Sequence, residues 1–167
     1  HDARVFDNNS PYKTFSTREM LEYVLDFNPD ILGFSIVTLN ALRTYDLLEK
    51  VREELPDLPI MAGGLHMSHC GAEAVVRGVN VVIRGEAENV ILRLVEIMGK
   101  QGRGAEFSRP FMVTEDIDAV PLINWDVVDL RHFYPTIFPS VYNVVSTQRG
   151  CPYRCRFCAD AFSHGRV

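Results

Sequence analysis

The sequence predicts an open parallel α/β sheet, doubly wound by helices on both faces. Three observations point there. Strand-like runs recur about every 25 residues with helical patterns between them, the period of a βα repeat. The inner runs, such as Ile31-Leu32-Gly33-Phe34-Ser35-Ile36-Val37, are apolar throughout rather than alternating, as strands covered on both faces must be. Ser35 and Thr38, then Gly63-Gly64, then Gly85-Glu86-Ala87-Glu88 fall at the ends of successive runs, where a parallel sheet places its loops.

The elements follow in order. Ala3 to Asp7 reads as a short strand. Ser16-Thr17-Arg18-Glu19 is a capping box, with Ser16 at the N-cap and Glu19 three residues on. It opens a helix whose Met20, Tyr23, Val24 and Phe27 share one face, and Asn28-Pro29-Asp30 ends it. After the run at Ile31–Val37 comes a helix from Ala41 to Leu55, closed by Pro56. Leu58 to Ala62 is the next strand, broken by Gly63-Gly64. A short helix over Ala72–Arg77 follows, with Gly78 as its C-cap. Asn80 to Arg84 is another strand. Glu86 to Met98 reads as an amphipathic helix with Val90, Ile91, Leu94, Val95 and Met98 on one side and Gly99 at its end.

Gln101-Gly102-Arg103-Gly104 marks a boundary. The expected organisation is an α/β domain over 1–104, a linker over 105–140 and the start of a second domain over 141–167. The linker should pack on something, because Phe107, Phe111, Trp125, Phe133 and Phe138 are too apolar for free coil.

Composition excludes several classes. Apolar residues make up 47% of the 167, which suits a globular core. The net charge of −5 does not suggest a nucleic-acid surface. No apolar run reaches membrane-spanning length. Four cysteines without a secretory segment fit a reducing cytoplasm.

Ligands of doubly wound sheets bind outside the carboxyl ends of the strands. The candidates there are Ser35 and Thr38, then Gly63, Gly64 and His66, then Gly85, Glu86 and Glu88. Glycines let a large planar or phosphate-bearing ligand approach the backbone. The two carboxylates would sit at a helix N-terminus, where the dipole favours them. Each also has a plain structural reading as a turn or a cap. His66 and His69 read as polar or packing residues, and Cys70 as a small buried side chain.

The densest chemistry lies in Cys151-Pro152-Tyr153-Arg154-Cys155-Arg156-Phe157-Cys158. Three thiols in one short loop can converge on a single metal centre. Closed zinc sites and ordinary electron-transfer clusters want four protein ligands. A cubane on three thiolates leaves one iron open. Val141 to Ser146 reads as a strand, so the thiols would sit at a strand's C-terminal end. Cys151, Cys155 and Cys158 with His164 remain an alternative Cys3His zinc site, in which the chain would be a zinc-stabilised interaction protein. A module that docks a partner or senses a ligand is a further alternative.

The C-x3-C-x2-C spacing, with Phe157 before the last cysteine, resembles the radical S-adenosylmethionine signature. The resemblance implies a [4Fe–4S] cluster on Cys151, Cys155 and Cys158, whose open iron chelates S-adenosylmethionine. Upstream, Pro29–Ser35, Ile60–His66 and Val82–Glu88 together resemble the cobalamin-binding domain of cobalamin-dependent radical S-adenosylmethionine enzymes. The third segment usually reads Gly-Glu-Gly-Glu, so Ala87 departs from it. The resemblance implies a flavodoxin-like, Rossmann-like sheet, bound cobalamin, a small-molecule substrate, an external electron donor, and methyl transfer or related radical chemistry. The Asp-x-His-x-x-Gly loop that gives cobalt a histidine in other cobalamin enzymes is absent, so no histidine is expected on cobalt. The opening His1–Asp7 resembles that domain's second strand, and only 27 residues follow Ser140. A complete barrel needs about 200 residues. The chain is therefore expected to be an N-terminal piece of a longer enzyme, inactive alone and holding only the start of its barrel.

Overall fold

A computed structural model describes residues 2–8, 13–102, 107–108, 113–114, 116–127, 149–153 and 155–158. Its helices are α1 (Thr17–Phe27), α2 (Ala41–Glu54), α3 (Leu65–Val76) and α4 (Ile91–Gln101). Its strands are β1 (Leu32–Ser35), β2 (Ile60–Gly63), β3 (Val81–Val82) and β4 (Phe107–Ser108). They form one sheet in the order β1-β2-β3-β4, every pair parallel. Leu32 lies opposite Ile60, Met61 opposite Val81, and Val81 opposite Phe107.

Alternation along β2 sorts the core into two layers. Ile60 and Ala62 face α2 and α3, with Leu48, Val51, Met67 and Ala74 buried there and α1 adding Met20 and Val24. Met61 faces the other way, with Val81 and Ile83, against Leu94 and Met98 of α4. Helices therefore cover both faces, as the apolar strands require. Fully buried side chains such as Leu48, Val51 and Met98 each contribute about 1.5–3 kcal/mol. α4 does not extend over β1, and Gly33 and Ser35 on that face are exposed.

Local chemistry sets the helix ends. Ser16 accepts from the Glu19 backbone and the Glu19 carboxylate accepts from the Ser16 N–H, completing the capping box. Asn28 closes α1 in the left-handed conformation at φ 50°.

Several expectations change. Residues 3–7 do not join the sheet: the Val5 N–H donates to the Val127 carbonyl at 3.1 Å, and Phe6 packs between the rings of Phe15 and Tyr23. α3 begins at Leu65 rather than Ala72. It is held by tertiary contacts instead of propensity, because Gly71 lies so close to Val82 that a Cβ there would come within 2.8 Å of its Cγ1. α4 starts at Ile91 rather than Glu86 and runs through Gly99 to Gln101, with Gly102 beyond it at φ 56°. β4 lies past Gly104, within the expected linker. The strand expected at Val141–Ser146, the Gly104 boundary and His164 lie outside the described residues.

Candidate functional site

Three loops meet at the carboxyl end of the sheet. The first leaves β1. Ser35 is exposed there, and Thr38-Leu39-Asn40 form a 3-10 turn stapled by the Val37 N–H to the Asn40 side-chain oxygen, at 3.1 Å. Val37, Leu39, Leu42 and, from the second loop, Leu65 leave their apolar side chains in solvent. They make an apolar rim around the ends of β1 and β2.

The second loop is Gly63-Gly64. Gly64 has φ +94°, and a Cβ on it would lie 2.7 Å from the Ile36 carbonyl oxygen and 2.8 Å from the Ile36 nitrogen. Here the chain passes directly over β1. The Ile36 N–H donates to the Gly63 carbonyl at 2.9 Å, and the His66 N–H donates to the Ile36 carbonyl at 3.0 Å. The room beside Gly64 is thus filled by the protein's own backbone. At Gly63 a Cβ would make only ordinary contact, 3.7 Å from Ile83.

The third loop follows β3. Gly85 is fixed by its N–H to the Ser68 hydroxyl at 3.0 Å, and Arg84 donates to the Ser68 carbonyl at 3.0 Å. Ser68 is buried and also lies 3.3 Å from the Gly64 carbonyl. It links the second and third loops, and sequence reasoning missed it. Its one sequence signal is its place one turn after Gly64, on a helix that was expected to start later.

Glu86 and Glu88 are not at a helix N-terminus. The Glu86 carboxylate, 7% exposed, accepts the Thr114 N–H at 2.6 Å. Arg149 lies 3.4 Å from Glu86 and 2.7 Å from Glu88. Burial works against the Glu86 charge, but the Thr114 hydrogen bonds and the Arg149 guanidinium outweigh it and hold this carboxyl below its ordinary range. The hydrogen bond to Glu88 raises Arg149 in turn.

Arg149 stands two residues before Cys151. Cys151 and Cys158 are half-buried, Cys155 is exposed, and all three are free thiols; the Cys158 N–H donates to the Cys155 carbonyl at 3.1 Å in a turn that begins after Cys151, and the three sulfurs are not gathered within ligating reach of one another. The structure therefore brings the third loop and the approach to the cysteines together. It brings Thr38 to His66 separately, with Oγ1 and Nδ1 3.1 Å apart.

The B12-binding domain model matches residues 3–95, more than half of the chain. The chain belongs to the B12-binding domain family. The fold agrees, since its parallel sheet carries helices on both faces. The chain is 25% identical to an uncharacterized methyltransferase of Pyrococcus horikoshii, over 99% of the chain and 39% of that protein. It is 24% identical to the anaerobic magnesium-protoporphyrin IX monomethyl ester cyclase of Rubrivivax gelatinosus, over 87% of the chain and 29% of that protein. A cyclase of the same name from Cereibacter sphaeroides is 20% identical over 87% of the chain and 26% of its own length. The B12-binding chain thus spans well under half the length of these relatives. No solved structure matches it. No helix among the described residues is long and apolar enough to cross a membrane.

Proposed function

We propose that this B12-binding chain holds cobalamin at the carboxyl end of its sheet and presents a [4Fe–4S] cluster loop beside it, as part of a cobalamin-dependent radical S-adenosylmethionine enzyme. The observation that carries the reading is the Arg149 clamp: Glu86 and Glu88 of the third loop grip the residue two before Cys151. The same sheet edge thereby serves the candidate cobalamin loops and the three-thiol turn.

The chemistry of the edge suits a corrinoid. Val37, Leu39, Leu42 and Leu65 offer an apolar surface to a macrocycle, and removing that surface from water favours binding. The face of β1 that α4 leaves open runs past Gly33 to Ser35, giving a tail a path along the strand. Ser35 can donate a hydrogen bond to a tail base, and Gly63 lets the tail approach the backbone. Gly85, Glu86 and Glu88 shape the third loop, with Glu86 and Glu88 acting on the cofactor through Arg149. Thr38 and His66 buttress the first two loops rather than ligating cobalt.

Cys151, Cys155 and Cys158 supply a donor set of three thiolates, which suits a cluster with one open iron. When bound, cobalamin carries a methyl group and the cluster with S-adenosylmethionine supplies radical chemistry. The chain's own residues bind, orient and shield these groups. Methyl transfer is the favoured reaction class, since one relative is named a methyltransferase, with ring-forming radical chemistry beside it because two are named cyclases.

Anaerobic purification of the full-length protein tests this. Reconstitution should give about four irons per chain, lost when Cys151, Cys155 and Cys158 are replaced by alanine. Hydroxocobalamin should bind with the spectrum of cobalt that has no histidine ligand. Stoichiometric zinc in place of iron would overturn the cluster reading, and failure to bind hydroxocobalamin would overturn the corrinoid reading.

A further inference from the structure

We infer that His66, Cys70 and Glu73 form a site for one zinc-class divalent cation, behind the first two loops of the corrinoid edge and apart from the cysteine turn. The three residues lie along α3 on either side of a kink at Cys70 (φ −117°, ψ 27°), which turns them toward one another. Their donor atoms all lie within 4.8 Å of one another, with His66 Nε2 3.6 Å from a Glu73 oxygen. Bonds of about 2.0–2.3 Å to a single tetrahedral ion set donor separations of about 3.3–3.8 Å, so the widest pair must close by about 1 Å. The set of one nitrogen, one sulfur and one oxygen is borderline in softness, which selects zinc or cobalt(II) over magnesium or calcium.

A buried polar group points independently to a missing partner at this spot. The His66 residue is 8% exposed, yet its Nε2 has no hydrogen-bond partner. A buried polar atom left unpaired is costly, so Nε2 calls for a ligand. Tyr45, 3% exposed, walls the site, with its ring centroid 6.2 Å from that of His66 and its hydroxyl beside Glu73. A zinc ion would satisfy Nε2 by taking its lone pair.

The surroundings prepare His66 for that role. Nδ1 lies 3.1 Å from the Thr38 hydroxyl, and in the tautomer that donates Nδ1–H to it, Nε2 turns a lone pair toward Glu73. Arg77 does not displace the ion from Glu73. Its guanidinium lies 4.3 Å over the Tyr45 ring and pairs with Glu49 at 3.8 Å. The Glu73 side chain is 49% exposed, which leaves the site an entrance from solvent and an open coordination position. A plain His66–Glu73 ion pair would not account for Cys70 beside them.

The test uses the whole chain with Cys151, Cys155 and Cys158 replaced by serine, so that the cysteine turn contributes no thiolate. The metal-free protein is titrated with cobalt(II) alone. One equivalent should produce a thiolate-to-cobalt charge-transfer band and intense tetrahedral visible bands, both abolished by zinc. Cys70→Ser should remove the charge-transfer band while the far-ultraviolet circular dichroism is unchanged. Glu73→Gln, at an exposed position, should weaken cobalt binding, and Thr38→Ala should weaken it about 10-fold or more through the His66 orientation. Affinity should rise with pH, because the thiol loses its proton on binding. A folded chain that gives no charge-transfer band, or one that keeps the band in Cys70→Ser, overturns the site. Neither result bears on iron or cobalamin binding by the full-length protein.

Discussion

Gly64 is demanded by backbone geometry twice over. Its φ of +94° disfavours any L side chain, and a Cβ there would overlap the Ile36 backbone at 2.7 Å. Strain at such a position costs roughly 1–3 kcal/mol, and Ile36 is held in place by the sheet and by His66. Gly64→Ala should therefore destabilise the domain by more than about 2 kcal/mol in urea denaturation, with cobalamin binding lost because the loop is lost. Gly64→Val therefore tests the fold rather than the fit of a cofactor tail. Ser35 is the better probe, since it is exposed on the uncovered face of β1. Ser35→Ala should leave the urea midpoint in place and weaken hydroxocobalamin binding to the full-length protein by about 1 kcal/mol, the net worth of one hydrogen bond. Unchanged affinity would move the tail elsewhere.

Among the elements, what the sequence made legible depended on where each signal was local. α1 announced itself through Ser16 and Glu19, whose side chains make both bonds of the capping box. β1 and β2 were legible because unbroken apolar runs need cover on both faces. α3 was not, since His66-Met67-Ser68-His69-Cys70-Gly71 has little helix propensity and no side-chain cap. Its first turn rests on contacts to Ile36 and Val82 that are distant in sequence. The start of α4 misled for the opposite reason. Glu86 and Glu88 look like first-turn acids, but Thr114 and Arg149 engage them from more than 25 residues away. At the other end of the sheet, Arg52 of α2 is an equally nonlocal tie. It donates to the carbonyls of Gly78 and Leu58 and to the Asn80 side chain, whose oxygen also accepts the Ile60 N–H. Arg52→Ala should lower stability by about 2–3 kcal/mol, as loss of charged hydrogen bonds to half-buried acceptors does. A urea midpoint within error of wild type would remove Arg52 from the account of how α2, β2 and β3 are held together.

For the whole molecule, the consequential contact is the one that fastens the cysteine turn to the sheet. The Glu86 side chain is 7% exposed, and Thr114 and Arg149 support its charge against burial. Its carboxyl titrates below the ordinary value of about 4.3. A depressed carboxyl adds stability that is fully present above the ordinary value and is lost as pH falls through the folded-state value. Docking of the 149–153 segment should therefore hold constant from neutral pH down to about 5 and weaken below about 4. Hydrogen exchange reads this directly once rates are divided by their intrinsic, pH-dependent values. The Thr114 amide, which donates to Glu86, and the amides of Gly150 and Cys151, which follow Arg149, should share one protection profile with that pH dependence. Glu86→Gln should reduce their protection at neutral pH by about tenfold or more, the equivalent of one charged hydrogen bond, while β1 and β2 amides keep theirs. Arg149→Ala should act on Gly150 and Cys151 more than on Thr114, because Thr114 retains its carboxylate. Protection at Cys151 that is indifferent to both substitutions would mean that the turn is held by something other than the third loop, and the shared edge for corrinoid and cluster would lose its physical basis.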